Sequence, residues 1–287
     1  MPIITERDAG QHMRKLVWRV KENMGQEFSP QYSGVNDPVA KHLKIEVRER
    51  KIQYGYGGMY MPGELPRIAI DPTSGEQERL NFTYFHEVSH HLIRQDGELY
   101  GFLDDHSLQD LHPTLEHYCN IGAAEFLIPE ADIREIVNNQ GFSIALIRVL
   151  DTMFPASKPA IAIQLAQCAS HQCIVLVCDY GVVPQRGKRQ TELSGMPKDV
   201  RSQLFVQYSS SSPSCKYKTG RFILVPKDHC LSGIYESQIF MKGHGNIPFR
   251  SGTKWSVDCE GFFYKGKVYA VFHITDPPSP YQMAFNL

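Results

Sequence analysis

The sequence has no apolar run able to cross a bilayer. The longest one near its middle, Cys173-Ile-Val-Leu-Val-Cys178, falls far short of the roughly 20 residues a spanning helix needs. The opening residues Met1-Pro-Ile-Ile-Thr-Glu-Arg-Asp8 lack a basic segment followed by an apolar one, so no secretory signal is expected. Neither charge sign dominates: 30 Lys and Arg stand against 31 Asp and Glu, a formal net charge of −1. That balance gives no electrostatic warrant for direct DNA binding, which needs a basic surface. The seven cysteines are odd in number and form no C-x-x-C pair, which excludes a disulfide framework and a cysteine zinc site. They read as reduced, buried thiols of a cytoplasmic protein. There is no internal repeat. What is present, 42% apolar and 21% charged residues over 287 positions, is ordinary for a folded chain of about two domains.

Helical spacing of Met13, Leu16, Val17, Val20 and Met24 predicts a first helix over 5–24 with Thr5 as cap. Short strands follow at 43–48, 52–61 and 67–70, where apolar and polar residues alternate and glycines punctuate. Ser74 and Gln77 form a capping box for a helix from about 75 to 94. An acidic connection over 98–112 leads to a helix from 113–114 to the residue before Pro129, and further helices fit 130–139, 142–153 and 158–169. Beyond Ser170 the runs 173–179, 203–208, 220–226, 253–263 and 267–274 favour strands, and 185–202 reads as a long loop. The plan is α+β, ending in a β-rich domain.

The strongest chemical signal is His86-Glu87-Val88-Ser89-His90, an H-E-x-x-H pattern inside a predicted helix. With 12 histidines in the chain, chance would produce it only about 0.03 times. Four residues advance a helix by about 400°, so both imidazoles share one face and reach one Zn²⁺. Glu87 stands about 100° away, beside the metal and free to take a proton from water. A catalytic zinc usually has a third protein ligand. Asp104, Asp105, His106, His112, Glu116 and His117 are candidates. Glu116 and Asn120 lie one turn apart, so Glu116 can ligate with Asn120 in support. Glu125, half a turn around the helix, cannot share that site. Tyr84, His106, His112 and His117 are candidate oxyanion donors, each with an ordinary structural role as the alternative. His91 is either an extra ligand or part of an altered pocket wall, or, since it points about 100° away from its neighbour, a helix-surface side chain.

At these residues the chain resembles the ImmA/IrrE family of metallopeptidases. Phe82-Thr-Tyr-Phe-His-Glu-Val-Ser-His90 and Glu116-His-Tyr-Cys-Asn-Ile-Gly-Ala-Ala-Glu-Phe-Leu-Ile-Pro129 carry the likeness, with Ile247-Pro-Phe-Arg-Ser-Gly252 as a weaker C-terminal segment. The resemblance implies a zinc-peptidase-like domain over 1–129, a helix-turn-helix-like bundle over 130–170 and a GAF-like domain over 171–287. It also implies that His86, His90 and Glu116 hold Zn²⁺ (or Mn²⁺) and that Glu87 is the general base. The implied activity is site-specific cleavage of a helix-turn-helix transcriptional repressor, which releases stress-response genes after DNA damage.

Two rival readings remain: an inert peptidase-like regulator acting by binding, and a DNA-binding factor using the 140–170 helices. The intact H-E-x-x-H opposes the first and the net charge opposes the second. In the C-terminal part, Lys216, Tyr217, Lys218, Arg221, His244 and Arg250 either line a small-molecule pocket or form a solvated sheet face.

Overall fold

The computed structural model describes residues 6–53, 56–106, 111–184 and 202–275. The chain is mixed α+β and divides into two compact units, Met1–Glu130 with Asp151–Ser157, and Ala131–Leu150 with Lys158–Leu287. No helix of the described residues is long and apolar enough to cross a membrane. The expected Thr5 cap and the stretch 185–201 lie outside the described residues.

The first unit begins with α1 (Glu6–Met24), which buries Ala9, Met13, Val17, Val20 and Met24 along one stripe. It ends at Gly25, whose φ of +51° suits a residue without a Cβ. A short helix α2 (Pro38–His42) follows, which the strand-oriented reading missed. Its signals were there: Asp37 caps the Val39 N–H, and Pro38 stands at the first helical position. Strands β1 (Glu46–Glu49), β2 (Gly58–Met61) and β3 (Arg67–Ile70) form a small sheet in the order β1-β3-β2. β1 runs parallel to β3, and β2 runs antiparallel to it along the other edge.

Helix α3 (Gln77–Gln95) carries the H-E-x-x-H residues. It starts without the expected capping box: Glu76 is the N-cap and makes no side-chain cap bond. Asp71 organises the preceding turn instead, accepting from the Ile52 N–H and from the N–H and hydroxyl of Thr73. The acidic connection expected over 98–112 contains a helix, α4 (Gly97–His106), because Asp96 accepts from the Leu99 N–H and starts one. Helix α5 (Leu111–Leu127) packs against α3 and α1.

The second unit holds α6 (Glu130–Gln140, its first residue belonging to the first unit), a 3-10 turn Ile144–Leu146, α7 (Ile147–Met153, its last three in the first unit) and α8 (Lys158–Gln167). Its five-stranded antiparallel sheet has the order β5-β4-β8-β7-β6. The strands are β4 (Cys173–Gly181), β5 (Gln203–Ser211), β6 (Met241–Asn246), β7 (Ser256–Tyr264) and β8 (Lys267–His273). The β7–β8 turn falls at Lys265-Gly266, both at positive φ, as a tight hairpin requires. Residues 220–226 are no strand; they make one bridge, Phe205 to Leu224, and Phe222 sits at a φ of +62°. Helix α9 (Cys230–Ser237) and the glycine-rich β6 were not anticipated.

The α3–α5 crossing is the tightest joint of the first unit. A Cβ added at Gly122 of α5 would lie 2.4 Å from Ser89 Oγ of α3 and 2.4 Å from Met13 Cε of α1. Gly122→Ala is therefore expected to cost ~1–3 kcal/mol in urea unfolding. Gly101→Ala in α4, where the added carbon meets nothing within 4 Å, should instead gain ~0.5–1 kcal/mol.

Candidate metal centre

Along α3, residues 86 and 90 face α5 while residues 87 and 91 face β2. On α5, Glu116 and Asn120 stand one turn apart on the side toward α3. The result is a close cluster. Glu116 places Oε2 3.0 Å from His86 Nε2 and Oε1 3.2 Å from His90 Nε2. The two imidazole Nε2 atoms are 3.2 Å apart. Tetrahedral zinc with bonds of 2.0–2.1 Å has ligand–ligand edges of about 3.3 Å, so these three donor atoms match the spacing of one metal's ligands. Asn120 Oδ1 lies 3.1 Å from His86 Nδ1. That contact holds the ring proton on Nδ1 and leaves the Nε2 lone pair facing the cluster.

A second donor competes for the third position. Cys119 Sγ lies within 4.8 Å of the same two imidazoles and is fully buried. Burial, reinforced by the negative charges of Glu116 and Glu87, pushes its thiol pKa up. Glu116 meets both imidazoles at 3.0 and 3.2 Å, so the carboxylate and the thiol are both within reach of the pair. Sequence reading passed over Cys119 as one more buried thiol; its place three residues after Glu116, on the same helix face, was the available signal.

Glu87 is 7% exposed. Burial raises its pKa to about 7, against the lowering effect of the Tyr60 backbone N–H, with the Glu116 charge adding to the rise. Burial, with His86 next, lowers His90 to about 4. A cleft of about 530 Å³ opens on these groups, lined among others by Gly58, Tyr60, Arg79, His86, Glu87 and Glu116.

The other sequence candidates lie elsewhere or do other work. His91 is buried rather than on the helix surface: its Nδ1 lies 3.1 Å from the Tyr60 hydroxyl, which ties β2 to α3. Tyr84 is buried and donates its hydroxyl to Asp37, 2.6 Å away, so it serves the core. His112 lines the cleft, with Nε2 3.9 Å from Glu116 Oε1. His117 is exposed, its ring against Tyr118. Asp104 and Asp105 are exposed on α4, and the His106 side chain lies outside the described residues. Glu125 accepts from the Glu130 N–H and lies 3.7 Å from Arg14, away from the cluster.

The edge strand must come very close to Glu87. A Cβ at Gly58 would lie 2.6 Å from Thr83 Cγ2 and 2.9 Å from Glu87 Cγ. Gly58→Ala is expected to lose ~1–3 kcal/mol by thermal or urea unfolding. Adding Thr83→Ser removes the nearest clashing atom and should recover part of that loss, a positive coupling in a double-mutant cycle.

With this geometry in hand, the relatives are informative. The family model described as the IrrE N-terminal-like domain matches residues 40–165. The chain is 26% identical over 211 residues to the radiation response metalloprotease IrrE of Deinococcus radiodurans, covering 73% of this chain and 63% of that protein. It is 28% identical over 196 residues to the protein of the same name from Deinococcus deserti, covering 68% and 66%. The matches thus span just under two thirds of either relative's length. In fold, the chain is similar to a Mycobacterium tuberculosis transcriptional regulator, with a TM-score of 0.55 at 10% identity over 95% of this chain and 82% of that one. The domain match covers both α3 and α5, the two helices that bring His86, His90 and Glu116 together, so the stretch that builds the cluster is similar to the IrrE N-terminal-like domain.

Proposed function

We propose that the chain is a metal-dependent endopeptidase that cleaves a helix-turn-helix transcriptional repressor and so releases stress-response genes. The observation that carries this reading is the meeting of His86, His90 and Glu116 within 3.0–3.2 Å of one another, with Glu87 buried beside them. Those three side chains would hold Zn²⁺, or Mn²⁺, since two imidazoles and a carboxylate suit either ion. Once bound, the ion supplies Lewis acidity that acidifies a water and polarises a carbonyl.

The chain's own residues do the rest. Glu87 accepts a proton as the water oxygen bonds to the scissile carbonyl carbon, then delivers it to the amine nitrogen as the C–N bond breaks. Tyr60 keeps Glu87 in place through its backbone N–H. Strand β2 is an outer strand of its sheet and lines the cleft with Gly58, Met59 and Tyr60. An extended substrate segment can add to that edge, its main chain paired to β2 and the scissile bond over the cluster.

The names of the Deinococcus relatives support a stress-response role. The expected division into a peptidase-like domain (1–129), a helix-turn-helix-like bundle (130–170) and a GAF-like domain (171–287) belongs to the same reading. So does a small-molecule ligand for the last part. Of the residues expected to line such a pocket, Arg250 borders a cleft of about 580 Å³ with Phe222, Pro248 and Lys254.

Glu87→Gln separates binding from chemistry. Its metal content should equal that of the wild type, while cleavage of helix-turn-helix repressors from the source organism, read by intact mass, should fall at least ~10²-fold. A metal-loaded wild type that binds such a repressor and leaves it whole would overturn the proposal in favour of an inert regulator.

A further inference from the structure

The second unit carries a group of reactive side chains that the peptidase reading does not use. Of the seven cysteines, six are buried, and Cys230 alone keeps part of its surface exposed. It is the first residue of α9, immediately after the N-cap His229. Its Sγ lies 3.6 Å from His229 Nδ1. The His229 ring is itself fixed: Nε2 donates to the Asn246 carbonyl at 2.7 Å, and Nδ1 accepts from the Leu231 N–H at 3.1 Å. Nδ1 is thereby the ring's basic nitrogen, its lone pair shared by the Leu231 N–H and the Cys230 thiol.

Beside Cys230 lies a second sulfur. Cys259 projects from β7 into the core beneath α9, where Cys230 also packs. Gly245 of β6 lies against both sulfurs. A carbon placed on it would lie 2.6 Å from Cys230 Sγ and 2.9 Å from Cys259 Sγ. One methyl-sized volume therefore touches both sulfurs, and only glycine at that position leaves it clear. The hydrogen bond from Cys259, and then the one to His229, lower the Cys230 thiol pKa; the bond to Cys230, with burial, raises that of Cys259. Of the two, the partly exposed sulfur is thereby favoured as the thiolate and the buried one as the thiol.

We propose that Cys230 and Cys259 form a peroxide-sensitive dithiol that closes to a disulfide between α9 and β7. Cys230 gives its proton to His229 Nδ1, whose hydrogen bond from the Leu231 N–H breaks as it does so, and the thiolate attacks one oxygen of hydrogen peroxide. The O–O bond breaks, Cys230 becomes a sulfenic acid, and the departing hydroxide takes the proton back as water. The Cys259 sulfur then attacks Cys230 Sγ; the S–S bond forms, the S–O bond breaks, and a second water leaves with the Cys259 proton. Two thiols lose two electrons and two protons in all, and one peroxide becomes two waters. Cys119 and Cys178, whose thiols burial pushes upward, take no part. This inference is independent of the peptidase reading.

The test uses the full reduced chain without substitutions. In limiting iodoacetamide, Cys230 should be alkylated at least ~10-fold faster than Cys168 or Cys215, because the thiolate is the nucleophile. After hydrogen peroxide and blocking of remaining thiols, non-reducing peptide mapping should find a Cys230–Cys259 linked peptide that dithiothreitol separates. In Cys259→Ala, dimedone should trap a sulfenic acid at Cys230. A wild type in which peroxide oxidises methionines while leaving Cys230 and Cys259 unlinked overturns the proposal. So does alkylation of Cys230 no faster than that of the buried cysteines.

Discussion

Helices α3 and α5 meet through Ser89 and Gly122, and the position of Glu116 opposite His86 and His90 follows from how near that meeting allows. The Ser89 hydroxyl turns back onto the Phe85 carbonyl at 2.7 Å, so its polar atom is satisfied within its own helix. Gly122 adds no side chain to the crossing, and Met13 of α1 closes over it. A side chain at residue 122 would force Ser89 or Met13 to move. The other wall is built in the same way. Gly58 lets β2 lie against Glu87, while the contact from Tyr60 to His91 fixes the strand to the helix. Two glycines thus bring the Glu87 carboxylate and three donor atoms into one small cleft.

Burial then sets the chemical state of these groups. It raises Glu87 and Cys119 and lowers His90, in each case toward the neutral form. For the histidine this is the form with a lone pair to offer. Glu116 keeps a third of its side chain exposed. The second unit applies different rules to its sulfurs. There a histidine and a second thiol, rather than burial alone, shift two neighbouring thiols in opposite directions.

Much of this was legible in the sequence wherever local pattern fixes structure. The stripe of α1, the β7–β8 hairpin at Lys265-Gly266, and the placing of His86, Glu87 and His90 on one helix all follow from spacing. Glu116 could be paired with Asn120 by the same arithmetic, although choosing it over its neighbours required the likeness to a family. What escaped had a tertiary cause. His91 turns inward because Tyr60 arrives from a strand 31 residues earlier, which helical angle alone could not register. The capping box at Ser74 was outcompeted by Asp71, whose carboxylate gathers the preceding turn. β6, with Gly243 and Gly245, has poor strand propensity and exists because β7 pairs with it. Cys119 and the Cys230–Cys259 pair became visible only when side chains distant in sequence shared a volume.

The central claim is that α3 and α5 form one metal site from two imidazoles and the Glu116 carboxylate. Elemental mass spectrometry on purified chain supplied with Zn²⁺ or Mn²⁺ tests it most directly, comparing wild type with His90→Ala, Glu116→Ala and Cys119→Ala. The account predicts about one metal per chain in the wild type and in Cys119→Ala, and an empty site in the other two. A wild type that takes up neither ion would contradict it. So would a Glu116→Ala variant that stays loaded while Cys119→Ala is empty.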